Sequence, residues 1–381
     1  MDNHTQKQLD LASRSTMFIY ALTSVALPVS LLDITRELNL SLTQAGALSF
    51  AGSIMQFAGL LAAIPIAGLI GKIRPLRWSL WVMAAGVAAF TRAHSFTAAL
   101  AAVLVVVSGE AIIEGLITPL VEDIHPGDDG SRQALLHAFW PAGIICGTLV
   151  IGELLSRGVS WRVIFLGLAA AGASVSIIYP RRNRASLPRS RADFSHAGEI
   201  FTRPLFWLMT LGLFLAGGAE GGITYWSASY IRLEFSSQPR AGGMGTAFFA
   251  AGMAAGRILT SRLAPRTGLK PILLTGSGLG ILSGLGLAAV HNLTFLYFLL
   301  FLTGFSLAPL WPTLQTHSVR RLNADPTMVM VFLSCTGVLG FSGINLIMGI
   351  IGDAAGLRAS FFAAPGMLLL LLCILIVEKK L

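Results

Sequence analysis

A chain of 381 residues that is 54% hydrophobic and 12% charged, with a mean hydropathy of +0.74, is too apolar to be a soluble globule, and it reads as an integral membrane protein. The net charge of +9 would suit a nucleic-acid binder, but the basic residues gather in the turns on one side of the apolar segments, which excludes that reading and makes the charge a topology signal. Cys146, Cys335 and Cys373 all fall in apolar spans without metal or CxxC spacing, so they read as small buried hydrophobes, with no metal or cofactor implied.

A membrane helix needs about 20 mostly apolar residues. Twelve spans meet that need, near 15–33, 45–70, 77–92, 96–120, 132–155, 161–179, 204–230, 243–262, 271–290, 293–317, 327–351 and 359–377. The first dozen residues are polar and the first span lacks a cleavage site, so helix one is expected to stay in the mature protein. It offers Tyr20, Thr23 and Ser24 to an interior face, and Pro28 is expected to bend it, as proline can where neighbouring helices re-satisfy the freed carbonyl. Asp33, Arg36 and Glu37 are placed in the following outer loop.

Helices four and five hold the chemistry that most resists a structural explanation. Residues 105–147 carry Glu110 and Glu114 on the first span and His137 and Trp140 on the second, around an acidic, Gly-rich turn at Gly127. An ionisable group at bilayer depth costs about 2.5–3.5 kcal/mol on insertion scales, so it persists where it lines a cavity or does a job. Glu110 and Glu114 are one helical turn apart on one face. Two carboxylates sharing a low-dielectric site cannot both ionise cheaply, and their protons leave in steps that belong to the pair. In an antiparallel hairpin about Gly127, Glu114 lies level with Trp140 and His137 lies one turn nearer the turn. A proton could then pass between Glu114 and His137, with the Trp140 ring as a stacking surface for an apolar sugar face. Plainer readings stay open: a backbone hydrogen bond for Glu110 and simple packing for His137.

The chain repeats itself. The basic turn GLIGKIRPLRW has a counterpart in SRLAPRTGLKP, offset by 193 residues when Arg77 is matched to Lys270; GVSWRVIF (158–165) matches AGLRASFF (355–362) at 196, with Arg162 and Arg358 each three residues before a Phe. Two six-helix units follow, 1–180 and 204–381, joined by a basic cytoplasmic loop at 181–203. Helix seven places Glu220 among Gly217, Gly218, Gly221 and Gly222, a density that suggests an unwound or closely packed helix. Thr224 and Ser227 share its face, and Tyr225, Trp226 and Tyr230 crowd the far end, as candidates for solute contact or for an interfacial belt. Helix ten is expected to break at Pro309 and Pro312, beside Trp311, and in helix eleven Asn345 is an amide inside an apolar run.

These features resemble the major facilitator superfamily of secondary transporters over essentially the whole chain: an all-α membrane protein of twelve helices in two pseudo-symmetric bundles. Three stretches look like the fucose permease group of sugar/proton symporters: Glu114 followed by LLHAF (135–139), Glu220 followed by Trp226 and Tyr230, and LAPLWPTL (307–314). The sequence departs from the pattern in having Lys72 and Pro265 at the Asp positions of the superfamily's loop motif, Thr118 and Trp140 where the group has Asn, and no counterpart of the group's helix-one Asp. Helix five, GIICGTLVIGE (143–153), lacks the Gly-Pro motif of many drug antiporters, which favours uptake.

The resemblance implies a non-enzymatic, monomeric secondary transporter of the inner membrane. It would move a small polar solute, sugar-like or an organic acid, with protons, between halves that include helices one, four, seven and ten. Glu114, Glu110 and His137 are the candidates for proton coupling, and Glu220, Trp140, Tyr20, Thr224, Trp226, Trp311 and Asn345 those for solute contact. The alternative is an exporter or antiporter of drugs, amphiphiles or siderophore-like molecules; an intramembrane metalloprotease would want HExxH, which the sequence lacks. With both termini cytoplasmic, the N-terminal arm, the alternate turns, the central loop and the C-terminal tail hold 20 of the 27 Lys and Arg, the bias that sets orientation. A single cysteine placed at Ser41 should therefore react with an impermeant thiol reagent on intact cells and one at Ser190 should not; the reverse pattern would invert the topology.

Overall fold

The computed structural model describes residues 3–125, 131–180, 197–322 and 326–378. The expected turn at Gly127 and the part of the central loop at 181–196 lie outside them. The elements are α1 (Asn3–Leu38), α2 (Leu42–Ile70), α3 (Ile73–Phe90), α4 (Phe96–Ile124), α5 (Ser131–Ser156), α6 (Trp161–Ile178), the short α7 (Ala197–Phe201), α8 (Pro204–Glu234), α9 (Pro239–Thr267), α10 (Leu269–Ala289), α11 (Leu293–Leu307), α12 (Leu310–Leu322), α13 (Pro326–Ala355), α14 (Leu357–Ser360) and α15 (Ala363–Val377). These make the twelve membrane helices, with α11–α12 and α14–α15 as the two interrupted ones. Ten of the twelve are long and apolar enough to span by composition alone; α3 and α9 fall short of that test.

The described residues divide into two compact units, 3–40 with 51–180, and 41–50 with 197–378. The first turns of α2 thus pack in the second unit. There Asp353 accepts hydrogen bonds from Leu42 N (2.9 Å), Thr43 N (2.8 Å) and Thr43 Oγ1 (2.6 Å), satisfying donors that every helix N-terminus leaves orphaned. Tyr225 Oη donates to Ala45 O at 2.6 Å.

Backbone landmarks of the first unit recur 197 residues later. Among the described residues Asn39 and Ser236 are the non-glycine residues with positive φ (51° and 47°), and Gly71 and Gly268 (78° and 80°) both precede the third helix of their unit. Helix starts at Leu42 and Pro239, and side-chain N-caps at Ser95 and Asn292, keep the same step. The 193-residue match of Arg77 to Lys270 is therefore off by one helical turn. The Arg162–Arg358 match, at 196, holds, and the reason is chemical. Arg162 gathers the end of α3, donating to Thr91 O and to Ala93 O (3.0 Å), bonds Glu37 (2.8 Å) and lies 4.4 Å from the Trp161 ring centre. Arg358 does the same at the end of α10, donating to Ala288 O (3.2 Å) and Val290 O (3.0 Å), bonding Glu234 (3.0 Å) and facing Tyr230. Arginine's planar fork serves several acceptors at once, as lysine's point charge cannot.

Other expectations shift at the helix ends. The outer-loop trio Asp33, Arg36 and Glu37 belongs to the last turns of α1. The polar first dozen residues are helical too, because Gln6 donates to Ile124 O (3.1 Å), Gln8 to Ile178 O (2.8 Å), and Asp10 pairs with His125 (2.8 Å). Helix seven is not unwound: α8 is continuous, and its glycines let it lie against α13 so closely that a Cβ on Gly217 would sit 2.6 Å from Gly337 O. The proline break is at Ala308–Pro309, whereas Pro312 falls in the first turn of α12, where its missing N–H costs nothing. Cys335 is buried as expected, but Cys373 is exposed on the outer surface of α15.

The C-terminal end of the second unit is tied by charge. Burial acts to raise the Glu378 carboxyl, but hydrogen bonds from His317 (2.9 Å) and Lys270 (2.7 Å) outweigh it and hold the group below its ordinary carboxylate value. Arg321 adds a bond to Glu378 O at 2.9 Å. A depressed carboxylate contributes stability above its unfolded value and loses it as pH falls through the folded one. The melting-temperature gap between wild type and Glu378→Gln should accordingly be full at neutral pH and close on acidification below the ordinary carboxylate range; a gap independent of pH would refute the linkage. Arg162→Ala should destabilise the first unit by about 1.5–3 kcal/mol, the scale of hydrogen bonds to charged groups, and Arg162→Lys should recover only part; a thermal melt of the purified variants in detergent checks both.

Candidate functional site

In the first unit, α1, α2, α4 and α5 bring together Tyr20, Gln56, Glu110, Glu114 and Trp140. The Tyr20 and Trp140 rings meet edge to face with centroids 4.7 Å apart, a favourable geometry for aromatic quadrupoles. Gln56 Nε2 lies 3.4 Å from the Tyr20 hydroxyl, and that hydroxyl also interacts with the Glu114 carboxyl group. Glu110 is buried, Glu114 is exposed, and Trp140 is half-buried. Glu114 acts electrostatically on Glu110, and among the described residues no cationic side chain acts on either carboxylate. Tight packing fixes the frame: a Cβ on Gly143 of α5 would lie 2.7 Å from Phe18 O of α1.

His137 is exposed, and its Nε2 lies 3.2 Å from Thr118 Oγ1, one turn along α4 from Glu114. Gln133 Nε2 donates to Thr118 O at 2.8 Å. Thr118, at the position where the fucose permease group carries Asn, is thus the side chain that meets His137. Lys72, at the loop motif's Asp position, is buried and paired with Asp123 at 2.6 Å, with a second bond to Pro119 O. An ion pair is kept there with the cation on the loop.

The second unit treats its candidates differently. Trp226 is fully enclosed, its indole N–H donating to Asn345 O (3.3 Å), and Tyr230 is buried with its hydroxyl on Leu287 O (2.8 Å) and its ring stacked on Phe361. These aromatics are packing residues, without free surface for a solute. Asn345 is likewise enclosed, with Nδ2 on Ser49 Oγ at 2.9 Å. Thr224 bonds back to Glu220 O at 2.8 Å on its own helix. Glu220 is half-buried and feels the charge of Arg257 on α9.

Trp311 is half-buried over Gly217 and Gly337; a Cβ on Gly217 would come within 2.9 Å of its ring. The 197-residue step relates Gly217, Trp311 and Gly337 to Tyr20, Glu114 and Trp140. Where the first unit sets a carboxylate before two aromatic rings, the second lays one ring over two glycines.

Sequence reasoning missed Gln56 and Arg257. Gln56 sits in an otherwise apolar helix, and an amide at that depth is a signal of the same kind as Asn345. Arg257 was legible as the charge nearest the centre of its span, but it was assigned to the basic turn that follows.

The model of the Major Facilitator Superfamily matches residues 15–288 and 227–380. A Yersinia pestis protein described as an uncharacterized MFS-type transporter is 25% identical over 229 residues, 56% of this chain and 58% of that protein, so the match spans less than two thirds of the relative's length. Among solved structures, a bacterial homolog of the human lysosomal transporter Spinster, in an inward-facing and occupied conformation, superposes with a TM-score of 0.85 at 16% identity, over 100% of this chain and 98% of that one. A nucleoside transporter gives 0.81 at 14%, over 100% of both chains. The E. coli fucose:proton symporter gives 0.66 at 17%, over 98% of this chain and 99% of that one. At these identities the structures speak for the fold, and the family match speaks for the chain: it belongs to the major facilitator superfamily.

Proposed function

We propose that the protein is a proton-coupled symporter of a small polar solute, sugar-like or an organic acid, working by alternating access as a monomer in the inner membrane with both termini cytoplasmic. The observation that carries this reading is the first-unit cluster, where two carboxylates one turn apart lack a cationic partner among the described residues and one of them faces a tyrosine hydroxyl, an amide and an indole ring. A carboxylate without a counter-ion in a low-dielectric site is most readily neutralised by a proton. Coupling follows if its protonation changes with solute occupancy.

In this scheme Glu114 carries the coupling proton, because it is the accessible member of the pair. Glu110, buried one turn away, sets the electrostatic background against which Glu114 titrates. Tyr20 and Gln56 present hydrogen-bonding groups to a hydroxylated solute, and the exposed part of Trp140 presents a face for its apolar side. His137, joined to Thr118, is a second stop for a proton leaving toward the cytoplasm. The fold shared with a fucose:proton symporter and a nucleoside transporter supports a polar solute.

Glu114→Gln mimics the protonated acid. The variant should keep solute exchange across proteoliposomes and lose accumulation driven by a pH gradient. Undiminished gradient-driven accumulation would remove Glu114 from the coupling step.

A further inference from the structure

The exposed stripe of α3 runs in the order of a bilayer profile. Arg74, Arg77, Trp78, Trp81, Val82 and Ala85 follow one another at helical spacing, and all are exposed except Arg77, which is half-buried. Trp78 and Trp81 keep 54% and 51% of their surface free, whereas Trp161, packed inside the same unit, keeps 3%. Two guanidinium groups thus come first, two indoles next and aliphatic side chains last. Arg77 and Trp81 are one turn, about 6 Å, apart along the axis, and the headgroup layer on each side of a bilayer is about 5–7 Å thick. With the indole at the edge of the hydrocarbon, where tryptophan gathers, the guanidinium stands at phosphate depth.

The end of α6 supplies a second wall. A cleft of about 290 Å³ opens between the two helices, lined by Arg77, Trp81, Ser176, Ile177 and Tyr179. The α6 side of it is fixed: Gln8 of α1 donates to Ile178 O (2.8 Å), the Tyr179 hydroxyl bonds Thr16 Oγ1 (3.0 Å), and Ser176 Oγ donates to Ala173 O (2.6 Å). The Arg77 guanidinium and the Trp81 indole N–H make no such bond among the described residues. Neither α3 nor α6 carries an Asp or Glu, and Lys72, at the N-cap of α3, is by contrast paired with Asp123 at 2.6 Å. Ile177, 66% exposed, continues the cleft outward as apolar surface. The cleft therefore joins a cation that neither wall answers to a second N–H donor and an apolar exit.

The second unit has the same surface without these groups. At the 197-residue step Arg74, Arg77, Trp78 and Trp81 become Pro271, Leu274, Thr275 and Gly278. The first three of those keep the exposure of their counterparts, so the face is a property of the fold and the chemistry on it belongs to the first unit.

We infer that the α3–α6 cleft binds an anionic phospholipid of the cytoplasmic leaflet, with its phosphate on Arg77 and its acyl chain leaving past Trp81 and Ile177. The guanidinium's planar fork matches two phosphate oxygens, and basic residues at that depth are drawn to anionic headgroups. A zwitterionic lipid brings its own cation beside the phosphate, so the unanswered charge of Arg77 favours a headgroup without one. A free phosphate would leave the indole and the apolar exit uncovered. The choice of leaflet follows from the cytoplasmic termini; the site itself does not depend on what the protein transports.

The test maps the lipid on the protein. Purified protein is reconstituted in phosphatidylcholine liposomes with a trace of phosphatidylglycerol that carries a diazirine at the glycerol end of one acyl chain, irradiated, and its labelled peptides are read by mass spectrometry. Label should concentrate on the first turns of α3 and the last turns of α6. Unlabelled phosphatidylglycerol should compete it away, whereas added phosphatidylserine headgroup analogue glycerol 3-phosphate, which has the anion without the chains, should not. Arg77→Gln should lower labelling of these peptides several-fold, Arg77→Lys should retain part of it, and Arg266→Gln, in the corresponding basic turn of the second unit, should leave it unchanged. Label spread evenly over the exposed helices, or an equal loss in Arg77→Gln and Arg266→Gln, would mean diffuse attraction and overturn the inference. Competition by glycerol 3-phosphate as effective as by the lipid would make this a site for soluble anions and overturn it too. Should Arg77→Gln fail to fold, the position of the label and its competition in wild type decide.

Discussion

Hydrocarbon offers the chain no hydrogen-bond partner, so every backbone N–H and C=O at bilayer depth has to be satisfied from within. Continuous helices meet that demand along their length, and the difficulty moves to their ends. There the structure spends its charged side chains on carbonyls and amides: Arg162 on Thr91 and Ala93, Arg358 on Ala288 and Val290, Asp353 on Leu42 and Thr43. The short Arg-bearing turns that recur between halves are therefore backbone-satisfying devices. A sequence match between them is a match of function in folding, before any question of transport.

The same constraint explains which parts of the fold were legible. Spans of about 20 apolar residues announce themselves, and all twelve were found. Their ends did not announce themselves, since Gln6, Gln8 and Asp10 look like a solvated arm until Ile124, Ile178 and His125 are seen to receive them. Repeat register failed for a related reason. Aligning basic residues of the turns compares positions free to drift, whereas the left-handed residues Asn39 and Ser236, or Gly71 and Gly268, mark where the backbone must turn. Conformation is the more faithful ruler, and it is not written in charge.

At the site, carboxylates in apolar helices were conspicuous because their desolvation has no structural excuse, which is why Glu110, Glu114 and Glu220 stood out. Aromatic residues gave a weaker signal. Trp226 and Tyr230 have the same amphipathic make-up as a solute-stacking ring, yet their polar atoms are spent on Asn345 O and Leu287 O. Arg257 shows the converse error. Counted among the charges that orient the chain, it also acts on Glu220 of the neighbouring helix, and that neighbour is known only once the helices are packed.

Symmetry between the units then becomes informative where it is broken. A step of 197 residues carries Glu114 to Trp311, and Tyr20 and Trp140 to Gly217 and Gly337. Both triads stand on equivalent helices: two rings and a carboxylate on one side, two glycines beneath one indole on the other. The second arrangement removes the ionisable group and locks α12 onto α8 and α13 by van der Waals contact. Gene duplication supplies a scaffold with two such places, and only one of them keeps a titratable side chain. Charge in the second unit lies instead at Glu220 and Arg257, whose counterparts at the same step are Thr23 and Leu60. The scaffold is thus duplicated while the polar chemistry is not: two carboxylates stand one turn apart in one unit, and a lone carboxylate in the field of an arginine stands in the other.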